Sequence, residues 1–192
     1  PQMTLVEGDP TQKGKWQEYV GEHEAVINLA GASIFSRWTT KTKRTLRESR
    51  ILTTRNLLEA LGGGGVKTFF STSAIGYYGF QQDDELTESC PPGNDFLAQL
   101  AVDWEKEALK AGELGIRVVL TRFGIVLGEE GGALGQMIPM FRKYVGGPLG
   151  DGKQWFSWIH RDDLTRAFLF LLARPEIFGP VNFTAPNPVR NR

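Results

Sequence analysis

Two runs of the chain, EAVINLAG (24–31) and IRVVLTRFGIVLG (116–128), are apolar with few interruptions, and VKTFFSTSA (66–74) is a third strand-like run. Strands that read this way belong in a sheet covered by helices on both faces. Helix-length segments alternate with them. TTKTKRTLRESRILTTRNLLEAL (39–61) is a long helix stopped by the glycines 62–65. A second helix is expected from Asn94 to about Ala111, with Asn94 and Asp95 supplying the N-cap. A third, LGQMIPMFRKYVGG (134–147), is expected to be interrupted near Pro139, and a fourth to run from Arg161 to about Ala173. MTLVEG (3–8), QWFSWI (154–159) and PVNFTA (180–185) read as further strands. Strict alternation of strand and helix predicts an α/β chain with a doubly wound parallel sheet.

Composition narrows the function classes. Of 192 residues, 22 are Lys or Arg and 22 are Asp or Glu, so no net field steers nucleic acid or an anionic membrane. Lys41, Lys43, Arg44, Arg47 and Arg55 make the long helix basic, which a solvated helix face explains. Cys90 is the single cysteine, so the chain forms no internal disulfide and no thiolate cluster, which fits a reducing, cytoplasmic setting. With His23 and His160 as the only histidines, no metal site is expected. No apolar run approaches the ~18 residues of a membrane span. The chain opens on PQMTLVEGD without Met, so a preceding targeting segment would make an organelle the alternative location.

In an open parallel sheet, ligands bind beyond the carboxyl ends of the strands. Read in order, those ends give Asp9 (GDP); Leu29, Ala30 and Gly31 (NLAG); Ser71, Thr72 and Ser73 (STSA); and Gly124, Ile125 and Val126 (RFGIV). Small residues at successive strand ends let a flat ligand lie against backbone. Each alone also reads as a tight turn. Arg50 lies seven residues before Leu57, so it shares the buried face of the long helix, where a guanidinium needs a partner. Arg122, inside an apolar strand, reads as half of an ion pair. His160 stands at a strand-to-helix junction in WIHRDDL, with Asp162 or Asp163 as helix cap. GGPLGDGKQWFSW (146–158), rich in glycine and ending in aromatics, is a candidate wall of a small-molecule pocket.

The order GD, NLAG, STSAIGYYG, RFGIVLG, WIHRDDL resembles an extended short-chain dehydrogenase/reductase of the NAD-dependent epimerase/dehydratase superfamily. GASI, SAIGYYG, WEKEA, TRFGIVLG and GGPLGDGKQW resemble its atypical YfcH-like epimerase branch, across essentially the whole chain. The resemblance implies a Rossmann-like domain that binds NAD(P), with NADP somewhat favoured, and an unidentified small-molecule substrate. It assigns cofactor contacts to Asp9, Leu29, Ala30, Gly31, Arg50, Ser71, Thr72, Gly124, Ile125 and Val126. It also implies a first strand–helix–strand unit before Pro1 carrying the Gly-rich pyrophosphate turn, since GEEGG (128–132) follows the wrong strand. On this reading residues 1–185 are a partial Rossmann-like domain, and 186–192 begin a smaller substrate-side domain.

The superfamily's helix after the serine strand carries Tyr-x-x-x-Lys, a general acid/base with the lysine that lowers its pKa. The matching positions here are Phe96 and Leu100, in NDFLAQL. Neither carries a proton. The expected function is therefore an epimerase-like oxidoreductase with a non-standard active site, or alternatively a non-catalytic NAD(P)-binding sensor or scaffold, of which division-related roles are one form. Ser73 matches the serine that hydrogen-bonds a substrate carbonyl; a strand-end cap is the other reading. Tyr77 and Tyr78 are candidate replacements for the lost phenol, against amphipathic packing with the ring inward and the hydroxyl to water.

Overall fold

A computed structural model describes residues 3–129, 131–148 and 150–192. In chain order its elements are β1 (Ala25–Asn28), α1 (Thr40–Leu61), β2 (Thr68–Ala74), α2 (Phe96–Leu109), β3 (Arg117–Phe123), β4 (Ile125–Leu127), α3 (Gly132–Arg142), β5 (Trp155–Phe156), β6 (Trp158–His160), α4 (Arg161–Leu172), β7 (Gly179–Phe183) and β8 (Val189–Arg190). The central sheet runs β1-β2-β3-β7, and every pairing in it is parallel.

Alternation along β2 explains why both faces are covered. Phe69 and Phe70 are adjacent and each is fully buried, so they point to opposite faces. Phe69 packs with Leu57 and Leu61 of α1, Ala108 of α2, and Val118 and Leu120 of β3. Phe70 packs with Val119, Phe183, and Phe168 and Leu171 of α4. Helices α1 and α2 thus cover one face and α4 the other, which is the doubly wound arrangement. At 25 cal/mol per Å², burying aromatic side chains on both faces is the main force holding the layers together.

Several expected boundaries shift. Residues 3–8 form no strand: Met3 and Leu5 are about nine-tenths exposed, and no neighbouring strand among the described residues offers them a ladder. The run 116–128 is two strands, not one. At Gly124 the chain leaves the central sheet, its N–H donating to Phe183 O (3.0 Å), and Ile125 N–H donates to Ser157 O (2.9 Å). A Cβ at Gly124 would lie 2.8 Å from Ser157 O, so only glycine makes this crossing. Strand β4 then pairs in parallel with β6 in a separate two-stranded sheet. QWFSWI divides likewise, β5 pairing antiparallel with β8, a strand the sequence did not announce. Helix α3 continues through Pro139, whose carbonyl still accepts from Lys143 N–H (3.2 Å). Tyr144 N–H and Val145 N–H then bond Phe141 O and Met140 O, a Schellman closure with Tyr144 at φ 58°. Among the described residues, no helix is long and apolar enough to cross a membrane.

Candidate active site

The register aligns Asn28, Ser71 and Leu120 across β1, β2 and β3. The stretches that follow, Leu29–Gly31, Thr72–Ala74 and Thr121–Phe123, therefore lie at the carboxyl edge of the sheet, and Gly124–Val126 lead from it into β4. Asp9 stands apart from them. Its exposed carboxylate accepts from Thr11 N–H (2.9 Å) and Thr11 Oγ1 (2.7 Å), which holds it below the usual aspartate range. The next residue, Pro10, is fastened through its carbonyl to Asn56 Nδ2 (2.9 Å). Asn56 is six residues, ~9 Å, further down α1 than Arg50.

Helix α1 builds the β1 end of the edge. Thr54 Oγ1 accepts from Asn28 Nδ2 (3.2 Å) and Trp104 Nε1 (3.0 Å), and Asn28 Oδ1 accepts from Ala30 N–H (3.1 Å). These bonds turn the chain at the strand end and leave Leu29 61% exposed. Ser49 Oγ accepts from Ala32 N–H (3.0 Å). The Arg50 guanidinium lies under the loop, donating to Ala32 O (3.2 and 3.3 Å) and Leu46 O (3.1 Å) and facing the Trp104 ring at 5.2 Å. A Cβ on Gly31 would come within 3.1 Å of the Arg50 Cζ, so the glycine gives the guanidinium its room. The other arginines of α1 are paired: Arg44 with Glu48, Arg47 with Asp103, and Arg55 with Glu107. Arg50 has no carboxylate partner among the described residues, and burial pulls its pKa down.

The β2 end is a closed network. Ser73 is 1% exposed, and its hydroxyl donates to Glu105 Oε1 (2.6 Å) beneath α2. Arg122 donates to both oxygens of Glu105, Nε to Oε1 and Nη2 to Oε2, each at 2.8 Å. Its Nη1 donates to the Tyr78 hydroxyl (2.9 Å) and Glu88 O (3.2 Å), and Tyr78 in turn donates to Asn182 Oδ1 (2.7 Å). The Tyr77 ring stacks on the guanidinium, 3.5 Å from Cζ to centroid. Burial lowers the pKa of Arg122, but the Glu105 pair overrides it and the net shift is upward. Burial also raises Tyr78, so it stays a neutral phenol at physiological pH. Ser73 and Tyr77 thus sit in this network, and the exposed tip of β2 is Ala74. Ser71 Oγ and Thr72 Oγ1 are buried atoms with no hydrogen-bond partner.

Glu105 was not picked out from the sequence. Its signal was present: a glutamate in WEKEA on the same stripe as Ala101 and Ala108, opposite an arginine in an apolar strand that required a carboxylate.

Asp95 caps α2, accepting from Leu97 N–H (2.8 Å) and Ala98 N–H (3.1 Å). Leu100 is buried. Phe96 meets the Trp38 ring edge to face at 5.9 Å and lies 4.9 Å from Lys43 Nζ. His160 is itself the N-cap of α4, its Nδ1 accepting from Asp162 N–H (3.2 Å), which corrects the expectation of an aspartate cap. Its backbone is extended and its ring reaches the second N–H, which leaves Asp162 and Asp163 in the first turn. Gly124, Ile125 and Val126 are at least partly covered, at the strand crossing. Glu130 of GEEGG and Leu149 of the 146–158 loop lie outside the described residues.

Residues 1–182 match the NAD dependent epimerase/dehydratase family. The chain belongs to this family. It is 42% identical over 183 residues to the "Epimerase family protein SDR39U1 homolog, chloroplastic" of Arabidopsis thaliana, covering 93% of this chain and 52% of that protein. It is 46% identical over 169 residues to the epimerase family protein Mb2239 of Mycobacterium bovis, covering 88% and 56%. The chain spans about half the length of these curated relatives. The crystal structure of human SDR39U1 (isoform 2) with NADPH superposes with a TM-score of 0.84 at 33% identity, covering 92% of this chain and 63% of that one. A UDP-glucuronic acid 4-epimerase from Bacillus cereus, 18% identical, shares the fold at a TM-score of 0.84. The parallel sheet is thus the Rossmann-like sheet of the epimerase family.

Proposed function

We propose that this chain forms the nicotinamide-dinucleotide crevice of an epimerase-like oxidoreductase with a non-standard active site. The observation that carries the reading is Arg50, the arginine of α1 without a carboxylate partner among the described residues, placed under Leu29, Ala30 and Gly31. A partly buried guanidinium held only by carbonyls has donor capacity and uncompensated charge for an anion. At the adjoining strand end, Thr72 and Ser71 carry hydroxyls without a hydrogen-bond partner in the chain. Arg50, Leu29, Ala30, Gly31, Ser71, Thr72, Gly124, Ile125 and Val126 would hold a dinucleotide; Asp9 would join them through Oδ2, since both Thr11 bonds fall on Oδ1. A bound nicotinamide dinucleotide supplies hydride transfer. This chain's residues bind and orient it, while Phe96 and Leu100 exclude water where related enzymes hold a proton.

The human relative's structure contains NADPH, which supports the cofactor class and favours NADP. A charge-assisted bond to phosphate contributes about 1.5–3 kcal/mol. Arg50→Ala in the full-length protein should therefore weaken NADPH binding about ten- to a hundredfold in a fluorescence titration. Unchanged affinity would leave Arg50 as a tie for the 29–32 loop and remove the support for this reading. Equal affinity for NAD would remove the NADP preference.

One observation favours a second reading, a dinucleotide-binding sensor or scaffold without turnover. Ser73 is committed to Glu105, and Phe96 and Leu100 carry no proton. Oxidation or reduction of a small-molecule panel by the loaded full-length protein separates the two. Turnover that survives Ser73→Ala would place the proton relay elsewhere in the site.

A further inference from the structure

Two cavities of about 480 Å³ each share a wall beyond the carboxyl edge of the sheet. The first lies between α3 and β8. Met137, Met140, Phe141, Val145, Phe156 and Val189 line it, and no carboxylate does among the described residues. The Schellman closure after α3 folds Val145 back over Met140 and so shapes one side of it. The second cavity is polar, with Lys153, Arg190 and Arg192 set against one carboxylate, Asp83. Arg190 and Arg192 belong to both linings.

Arg190 is fixed at this seam. Its guanidinium stacks 3.8 Å from the centroid of the Trp155 ring and donates to Asp83 and Lys153 O. Asp83 is held in turn by Trp155 Nε1 (2.9 Å). Asp83 is thus shared between Arg190 and an indole, Lys153 lies 3.9 Å from Asp151, and the positive charge of Arg192 is left beyond these pairs.

We propose that the joined cavities bind one amphiphile, with its apolar body between Met137, Met140 and Phe156 and its anionic head, a carboxylate or a phosphate, at the Arg190 seam. None of the named lining residues belongs to the proposed dinucleotide crevice, and the inference rests on that reading only in calling the amphiphile a substrate. The unbranched, polarizable methionines adapt to an aliphatic or flat body. A sugar fits the chemistry poorly. Its hydroxyls would face methyl groups and rings, with Asn191 as the uncharged polar side chain of the apolar cavity among the described residues, and each unpaired hydroxyl opposes burial. The basic seam supplies the charge complementarity that selects an acidic head.

The test uses the full-length protein and the fluorescent probe 11-(dansylamino)undecanoate, displaced by dodecanoate, dodecyl phosphate, dodecanol or UDP-glucose. Saturable probe binding is expected. Dodecanoate or dodecyl phosphate should displace it, and the tighter of the two identifies the head. Dodecanol should be at least tenfold weaker, and UDP-glucose should not compete. Met140 is 49% exposed, so Met140→Glu leaves the fold intact and should weaken dodecanoate at least tenfold by placing a like charge in the apolar cavity. Arg190→Gln should remove the preference for dodecanoate over dodecanol. Displacement by UDP-glucose, equal affinity for dodecanol, or an unaffected Met140→Glu variant would overturn the inference. NADPH is titrated in parallel. NADPH binding without probe binding overturns the amphiphile site alone, and probe binding without NADPH binding overturns the dinucleotide reading alone.

Discussion

Replacing Arg122 by methionine isolates what the buried network contributes. Arg122 is 2% exposed and Glu105 is 6% exposed. The substitution removes both 2.8 Å bonds to Glu105, the donors to Tyr78 and Glu88, and the charge stacked on Tyr77. Glu105 is then a buried carboxylate with Ser73 as its remaining side-chain donor. Leaving one member of a buried ion pair uncompensated destabilises by about 3–5 kcal/mol, a large part of the ~5–15 kcal/mol total of a typical domain. Glu105→Leu should be similarly harmful, because it strands the guanidinium. Removing both charges relieves both penalties. The Arg122→Met/Glu105→Leu double variant should therefore lie at least ~2 kcal/mol above the sum of the single losses. It will not recover fully, since Tyr78 and Glu88 still lose their donor. Urea unfolding of the full-length protein, followed by tryptophan fluorescence, measures all four corners of the cycle. Single losses that add within ~0.5 kcal/mol would refute the coupling.

Other consequences are equally direct. Gly124→Ala should destabilise by about 1–3 kcal/mol, because its Cβ would sit 2.8 Å from Ser157 O, a backbone atom that cannot swing away; a thermal melt reads this. Trp104→Phe should cost ~1 kcal/mol through the lost bond to Thr54, and an unchanged urea midpoint would contradict that. The Asp83 carboxylate is held below its ordinary 3.8 by Arg190 and Trp155. A depressed carboxylate stabilises above its unfolded pKa, so the β5–β8 contact should hold at neutral pH and be lost as pH falls below about 4; near-ultraviolet circular dichroism of Trp155 follows it.

Layering was legible because apolar strands and helical periodicity are local properties. The pair Phe69–Phe70 in VKTFFSTSA already demands two covered faces. What a strand does beside its neighbours is not local. MTLVEG has a strand's composition but no ladder partner, and IRVVLTRFGIVLG has no charge or turn cluster to mark where it changes sheets. Gly124 is the only trace of that crossing. The site shows the same division. Helical spacing places Arg50 on the buried face, and the family resemblance puts the apolar Phe96 and Leu100 where it implies an acid/base pair. Alternation put Ser71 and Ser73 on one face, but that this face meets Glu105 depends on how α2 packs, 32 residues away in sequence. Arg122 advertised a missing carboxylate without saying which one. His160 was read past because serine, threonine, asparagine and aspartate are the usual caps, and here an imidazole does the same work.

We propose Arg50 as an anion-binding group beneath a crevice in which Phe96 and Leu100 stand where the family resemblance implies an acid/base pair. A crystal structure of the full-length protein with NADPH tests this most directly. The account predicts the Arg50 guanidinium within hydrogen-bond distance of a phosphate or ribose oxygen, the cofactor lying along Leu29–Gly31 and Thr72–Ala74, and Phe96 and Leu100 flanking it without a proton donor. NADPH bound elsewhere, with Arg50 still bonded only to Ala32 and Leu46 carbonyls, would contradict it.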